Sequence, residues 1–360
     1  MILVNVHWAV QPRCSLERCG SPSSEEEARS DERVDGAGRV VDVIVLAGGF
    51  GTRLRPWTES VPKPLLPILD KSMIEHVVEV LPESLVDRVL IAAGYGVEEM
   101  RSHFANTQLP YEVRIIEETE PLGTGGAIGN CKSHLSGGTF CVINGDLITS
   151  LRVEEMLDFH RGNGGIGTIA LWEVEDPSRF GVADYREESG KIMRFQEKPP
   201  IEEAYSNLIN AGTYILEPEI FNLMPNGAHS IERDIYEDLA ETGGLNGFPY
   251  EGWFVDAGTP VSFIEATQVC ISESKFDSGS VDGDSWFGEG SENLGLVSGS
   301  SVGRCSVIGE GAVVTNSVIL EDAEVGAGSI LDGCLIGKGA RIPEGTGMNG
   351  EIVGHDSHMG

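Results

Sequence analysis

The sequence predicts an α/β domain followed by a short parallel β-helix. Three observations carry this: buried-strand runs alternating with helix-spaced segments, a glycine-rich loop directly after the first such run, and an apolar repeat of period six near the C-terminal end. A length of 360 residues suits two globular units of this kind.

In chain order, residues 1–40 contain Ser21-Pro-Ser-Ser-Glu-Glu-Glu27 and little periodicity, and read as a flexible extension with no catalytic role. The run Val40 to Leu46 reads as a buried strand, as do Val89 to Ala93, Phe140 to Asn144 and Gly167 to Trp172. Ser72 to Leu81 and Val153 to His160 carry helix spacing. The first domain is thus expected over 41–270 and, from its Ser, Gly and acid content, a linker over 271–295. Apolar residues then recur every six at Val302, Ile308, Val314 and Leu320, with a shifted set at Ile330, Ile336 and Ile342. Glycines accompany them at 303, 309, 326 and 337. This predicts two to three coils over 296–354, with 355–360 as a tail. A meander would alternate with period two.

Composition narrows the function. Asp and Glu total 57 against 25 Lys and Arg, a formal net charge of -32. Such a surface repels nucleic acid and anionic membranes, and its evenly spread acid with scarce lysine points to adaptation to high salt. No run approaches a membrane span. Met1 to Val10 lacks a secretory pattern, so a cytoplasmic protein is expected. The seven cysteines are odd in number and form no C-x-x-C pair, so they are expected reduced and mostly buried. A metal site at Cys14 and Cys19 would have only His7 nearby.

The chemistry lies in a few short stretches. Leu46-Ala-Gly-Gly-Phe-Gly-Thr-Arg53 leaves a buried strand where open α/β sheets hold ligands. Gly48, Gly49 and Gly51 let backbone N–H groups approach phosphate or a base edge, Thr52 follows, and Arg53 offers a bidentate donor. Pro62-Lys63-Pro64 places a cation on a proline-restricted segment. With seven lysines in the chain, each one is informative. Asp146 ends the strand of Val142-Ile-Asn-Gly-Asp146, and Asp256 follows a second apolar stretch. Either alone reads as a cap or turn residue, whereas the pair suits Mg²⁺, which takes few carboxylates and completes its shell with water and phosphate. Glu197-Lys198-Pro199, Asn210-Ala-Gly212 and Phe180-Gly181 supply a second lysine, sugar-facing polar groups and close-approach positions; singly, each could be an ordinary turn.

Taken together, G-G-x-G-T-R-L-x-P-x-T, P-K-P-L, G-D, E-K-P, N-A-G and D-x-G-T-P resemble the sugar-phosphate nucleotidyltransferases over residues 41 to about 268. That resemblance implies a Rossmann-like nucleotidyltransferase domain with a mixed, mostly parallel sheet, plus a short left-handed parallel β-helix. It implies Mg²⁺-dependent attack of a sugar 1-phosphate on the α-phosphorus of a nucleoside triphosphate, with release of pyrophosphate. Arg53 and Lys63 would then steady the triphosphate on Leu46, Ala47, Gly48, Gly49, Gly51 and Thr52. Asp146 and Asp256 would hold the metal, Lys198 the attacking phosphate, and Gly181, Glu197, Asn210 and Gly212 the sugar. The stretch Glu117 to Ala127, with Glu118 and Gly123, looks most like the base-reading segment of mannose-1-phosphate guanylyltransferase-like members. A carboxylate accepts from both N1–H and the exocyclic amine of guanine, which favours GTP over UTP or dTTP. A homo-oligomer through the β-helix is expected.

Rival readings are weaker. A dinucleotide-dependent oxidoreductase would need G-x-G-x-x-G leading into a helix, whereas Arg and Pro follow here. A silent regulatory subunit would be expected to lose motif lysines or aspartates, which survive. Acyl transfer by the β-helix would need an embedded histidine, and His355 and His358 fall in the expected tail.

Overall fold

The structure is a computed structural model that describes residues 41–107 and 109–358. The expected N-terminal extension and the Cys14–Cys19 alternative lie outside the described residues.

The apolar runs form one sheet of nine strands: β1 (Val41–Leu46), β2 (Val86–Ala93), β3 (Glu112–Glu117), β4 (Phe140–Asn144), β5 (Gly167–Glu173), β6 (Gly181–Arg186), β7 (Lys191–Glu197), β8 (Leu208–Leu216) and β9 (Leu245–Pro249). Their order is β3-β2-β1-β4-β8-β5-β9-β7-β6. The pairings β3–β2–β1–β4 are parallel, and β7 and β8 alone run against the rest. Helices α1 (Met73–Glu79), α2 (Val97–Asn106), α3 (Gly123–Cys131), α4 (Val153–Asn163), α5 (Glu237–Glu241) and α6 (Pro260–Ser272) surround it.

The continuous hydrophobicity of β1 follows from this layering. Val43 and Val45 point into a core with Ile74 and Val77 of α1 and Met156 of α4, while Ile44 points the other way, toward Ile128 and Cys131 of α3. The polar interruption, Asp42, is buried but paired: Arg88 Nε lies 3.0 Å away and the Ser136 N–H donates to it at 2.5 Å. Helix α1 starts where the sequence supplies a cap. Ser72 and Glu75 form a reciprocal capping box.

The C-terminal strands stack in three parallel ladders. One runs Trp286, Ser301, Val318, Leu335, Ile352. The first step of this ladder is 15 residues and the later ones are 17, as in the bonds from the Ser317 N–H to Ser300 Oγ and from the Cys334 N–H to Ser317 Oγ. That corrects the expected strict hexad. The inward series is Val302, Ile308, Val314, then Ile319, Val325, Leu331, then Ile336, Ile342, Met348. Every third step is five residues, so the later inward set is Leu331, Ile336 and Ile342, and Ile330, expected in it, faces outward and is 59% exposed. Leu320 is therefore not in the β-helix core but packs outward with Leu54, Trp57 and Phe263 of the first domain.

Two boundaries also move. The expected linker contains β-helix strands: Ser285–Phe287 pairs with Ser301–Val302, and Glu292–Asn293 with Val307–Ile308. Its Ser, Gly and acid content suits the solvated corners and tight turns of a first coil as well as it suits a linker. At the other end, His358 bridges to Arg341 and His355 packs against Trp57, so the supposed tail continues the last coil. More coils result than the two to three expected.

Among the described residues, no helix is long and apolar enough to cross a membrane. Cys131, Cys141, Cys270 and Cys334 are buried and unpaired, and Cys305 is exposed.

Candidate active site

The glycine-rich loop begins at the carboxyl end of β1, beside the carboxyl ends of β2 and β4. Leu46 accepts from the Gly145 N–H at 2.9 Å, and the Ala47 N–H donates to Ala92. The loop turns at Gly51, whose φ of 60° and close neighbours both demand glycine: a Cβ there would lie 2.8 Å from Thr58 Cγ2 and 2.9 Å from Lys63 Cβ. Thr58 Oγ1 donates to the Gly51 carbonyl at 2.9 Å and fixes the turn. Nothing overlies Gly49, which leaves its backbone open toward the cavity.

Lys63 opens a short 3₁₀ turn between Pro62 and Pro64. Its ammonium reaches Asp146 Oδ2 at 2.5 Å, with the lysine side chain only 12% exposed. Asp146 and Asp256 are brought together by a small antiparallel pair, Leu147–Thr149 with Phe254–Asp256, in which Asp256 registers with Leu147 and the Ala257 N–H donates to the Asp146 carbonyl at 2.9 Å. Burial, then the neighbouring Asp146 carboxylate, raises the Asp256 pKa; Lys63, Arg179 and Arg53 oppose this. One Asp256 oxygen, Oδ1, is buried without a hydrogen-bond partner. Two carboxylates, one carrying an orphaned buried oxygen, beside a phosphate-sized opening form a donor set that fits a hard divalent cation with room for water and phosphate ligands. A cavity of about 250 Å³ collects Leu46, Ala47, Gly49, Gly51, Thr52, Arg53, Lys63, Asp146 and Asp256.

The residues expected to meet the sugar form a second group. Gly181 registers with Glu197 across β6 and β7, and a Cβ at Gly181 would lie 2.9 Å from Glu197 Oε2. Glu197 is nearly enclosed and Lys198 more than half exposed; they pair at 2.7 Å. Lys198 has a positive φ of 52°, and its N–H donates to the Phe180 carbonyl at 3.0 Å. Asn210 braces a bulge in β8: its Oδ1 accepts from the Gly212 N–H at 2.9 Å and its Nδ2 donates to Tyr214 Oη at 3.0 Å. Gly212, φ 67°, lies against the Asn144 amide, which ties this group to the strand that leads into Asp146.

Two expected residues sit elsewhere. Glu118 is buried beneath Gly48, where a Cβ would lie 3.2 Å from its carboxylate, and does not line the Lys63 cavity. Burial raises its pKa, against a hydrogen bond from the Leu122 N–H. Gly123, φ 68°, has the His229 carbonyl where a Cβ would be, at 2.6 Å. With Gly125 and Gly126 it lets α3 pack on the 227–231 segment, whose His229 carbonyl accepts from the N–H groups of both.

Several contributors were missed. Arg179 acts electrostatically on Asp256 and stands next to the Phe180-Gly181 stretch already singled out. Gly258 admits Asp256 and Lys63, since a Cβ there would lie 2.8 Å from Asp256 Oδ1 and 3.3 Å from Lys63 Nζ. Glu232 is buried and accepts from Thr124 Oγ1 at 2.5 Å and Tyr214 Oη at 3.4 Å, linking α3 to Asn210. Gly258 was legible in D-x-G-T-P. Glu232 carried no local signal.

Residues 42–273 match the family described as nucleotidyl transferase, and residues 275–358 the GlmU-like C-terminal hexapeptide family. Mannose-1-phosphate guanylyltransferase 1 of Arabidopsis thaliana is 36% identical over 233 residues, which is 63% of this chain; the match spans 64% of that protein, just under two thirds of its length. The crystal structure of HddC from Yersinia pseudotuberculosis complexed with GMP-PN is 30% identical, with a TM-score of 0.55 over 64% of this chain and 99% of that one. A UDP-glucose pyrophosphorylase complexed with UDP-glucose has a TM-score of 0.58 at 24% identity, over 65% of this chain and 99% of that one, a likeness of fold alone.

Proposed function

The chain belongs to the nucleotidyl transferase family, and on that premise we propose that it transfers a nucleotidyl group from a nucleoside triphosphate to a sugar 1-phosphate, with GTP and mannose 1-phosphate as the preferred pair. The observation that carries this reading is the Lys63, Asp146 and Asp256 cluster facing the glycine-rich loop across one small cavity. A phosphate oxygen of the sugar phosphate forms a bond to the α-phosphorus, the bridge to the β-phosphate breaks, and pyrophosphate leaves with the electron pair. Gly49, Gly51 and Thr52 hold the triphosphate, and Arg53 and Lys63 neutralise it. Lys198, steered by Glu197, orients the incoming phosphate, with Gly181, Asn210 and Gly212 shaping the sugar side. Asp146 and Asp256 would hold Mg²⁺, which would supply positive charge to the reacting phosphates.

The guanine preference is supported by Glu118, a carboxylate beneath Gly48 with capacity to accept two N–H donors, and by the resemblance to guanylyltransferases. The HddC structure, solved with GMP-PN, adds to it. The charge of -32 supports a protein working in concentrated salt, where exposed carboxylates are screened. We place it in the cytoplasm, consistent with the unpaired cysteines among the described residues. For self-association we assign the outward β-helix row of Leu296, Val313 and Ile330, adjacent in register, of which Leu296 is 71% and Ile330 59% exposed.

The test is pyrophosphate release from each common nucleoside triphosphate against glucose, mannose, N-acetylglucosamine and heptose 1-phosphates, in low and high salt. GTP with mannose 1-phosphate should lead, more strongly in high salt. Activity confined to UTP or dTTP would refute the guanine assignment, and release from no pair would leave the silent-subunit reading.

A further inference from the structure

The glycine-rich loop does not stand on its own domain alone. Trp57, six residues after Gly51, is fully buried, and its indole N–H donates to the Val353 carbonyl in the last β-helix coil at 2.8 Å. Its ring stacks on His355 of that coil, with centroids 5.7 Å apart and 25° between planes. A second ring contact is edge-on, to Phe263 of α6, at 5.7 Å and 86°. Helix α6 begins just after Asp256. One side chain thus meets the loop, the metal-side helix and the β-helix.

The coupling to the loop is direct. The next residue, Thr58, holds the Gly51 carbonyl, and its methyl fills the space a Gly51 side chain would need. The Trp57 carbonyl accepts from the Val61 N–H at 3.2 Å, setting the entry to Pro62 and Lys63. Arg53 and Lys63 therefore hang on either side of a residue anchored to another domain. The anchor is itself held: His355 Nδ1 accepts from the Lys338 N–H at 3.0 Å, which fixes the ring plane.

We infer that the last coil of the β-helix is a positioning element for the nucleotide-binding loop, acting through Trp57, with His355 and the Val353 carbonyl as its supports. This rests on the nucleotide-binding reading above. Displacing Trp57 moves Gly51 and Lys63 together, and loops that hold phosphates tolerate little displacement.

The test uses the full chain carrying His355→Ala and, as the conservative control, His355→Phe, which keeps an aromatic face. Amide hydrogen exchange is read first, at the hydrogen-bonded N–H groups of Leu54, Glu59 and Val61. His355→Ala should speed their exchange about 10-fold, with β1 amides unchanged and His355→Phe within about 2-fold of the parent. In steady-state kinetics, His355→Ala should raise KM for the nucleoside triphosphate about 5-fold or more while KM for the sugar phosphate stays within about 2-fold. Unchanged loop exchange overturns the inference. So does faster exchange with an unmoved nucleotide KM, or an equal rise in both KM values that His355→Phe fails to rescue. A parent chain that turns over no nucleotide defeats the functional reading, while loop exchange still decides whether the coil holds the loop.

Discussion

Lys63 Nζ lies 2.5 Å from Asp146 Oδ2, joining two residues 83 positions apart. The lysine emerges from a proline-flanked turn and the aspartate from the end of a central strand, so the pair spans the mouth of the site. It holds a cation where the charge of the proposed triphosphate would be met, in a protein whose overall field repels anions.

Lys63→Ala leaves the Asp146 carboxylate without its partner and the triphosphate with Arg53 alone of its two proposed cations. Turnover should fall by at least about 100-fold, measured as pyrophosphate release in a variant with parental circular dichroism. Lys63→Arg should recover little, because a planar guanidinium does not replace a compact ammonium in this opening.

Asp256→Asn should separate activity from stability. Because burial and Asp146 raise this carboxyl group's pKa, its ionised form costs stability. The stability it contributes is present below the unfolded carboxyl value and is lost as pH rises through the folded one. In metal-free buffer at pH 7 the variant should melt above the parent, with the difference vanishing below about pH 4. Activity should fall by about 100-fold or more, and added Mg²⁺ should raise the melting temperature of the parent only.

Glu118→Gln converts an acceptor for two guanine N–H groups into an amide with one donor end. kcat/KM for GTP should drop by about 100-fold relative to UTP and dTTP, compared in the same assay. An unchanged ratio would move base reading to the backbone of the 118–126 segment.

Glu75 gives an acid-side signature. Burial acts to raise its pKa, but hydrogen bonds with His103 and Ser72 outweigh that and bring it to about 2. The folded value is depressed, so its contribution is complete above about pH 4.5 and is lost as pH falls toward about 2. Urea unfolding at pH 6 and pH 3 should show a loss in the parent about 2 kcal/mol greater than in Glu75→Gln, the rest being lost only below pH 3.

The order of motifs, the strand-end placement of the glycine-rich loop and the candidate ligands Arg53, Lys63, Asp146, Lys198 and Asp256 were all legible in one dimension, because glycine, proline and strand periodicity constrain the backbone locally. So was the existence of a repeat. Its coil length was not: a five-residue step looks like noise until the ladders show Ile319, not Leu320, facing inward. Gly123 and Glu118 were read as one stretch, yet a positive φ and the His229 carbonyl set Gly123 against a distant segment while Glu118 lies under Gly48. Local patterns fix which backbone can bend and which side chains carry charge. What each side chain touches is decided by partners brought from far along the chain, as with Glu232 on Thr124, Trp57 on Val353, and Lys63 on Asp146. Those long-range neighbours, which set burial and hydrogen bonding, leave no mark at the position they act on.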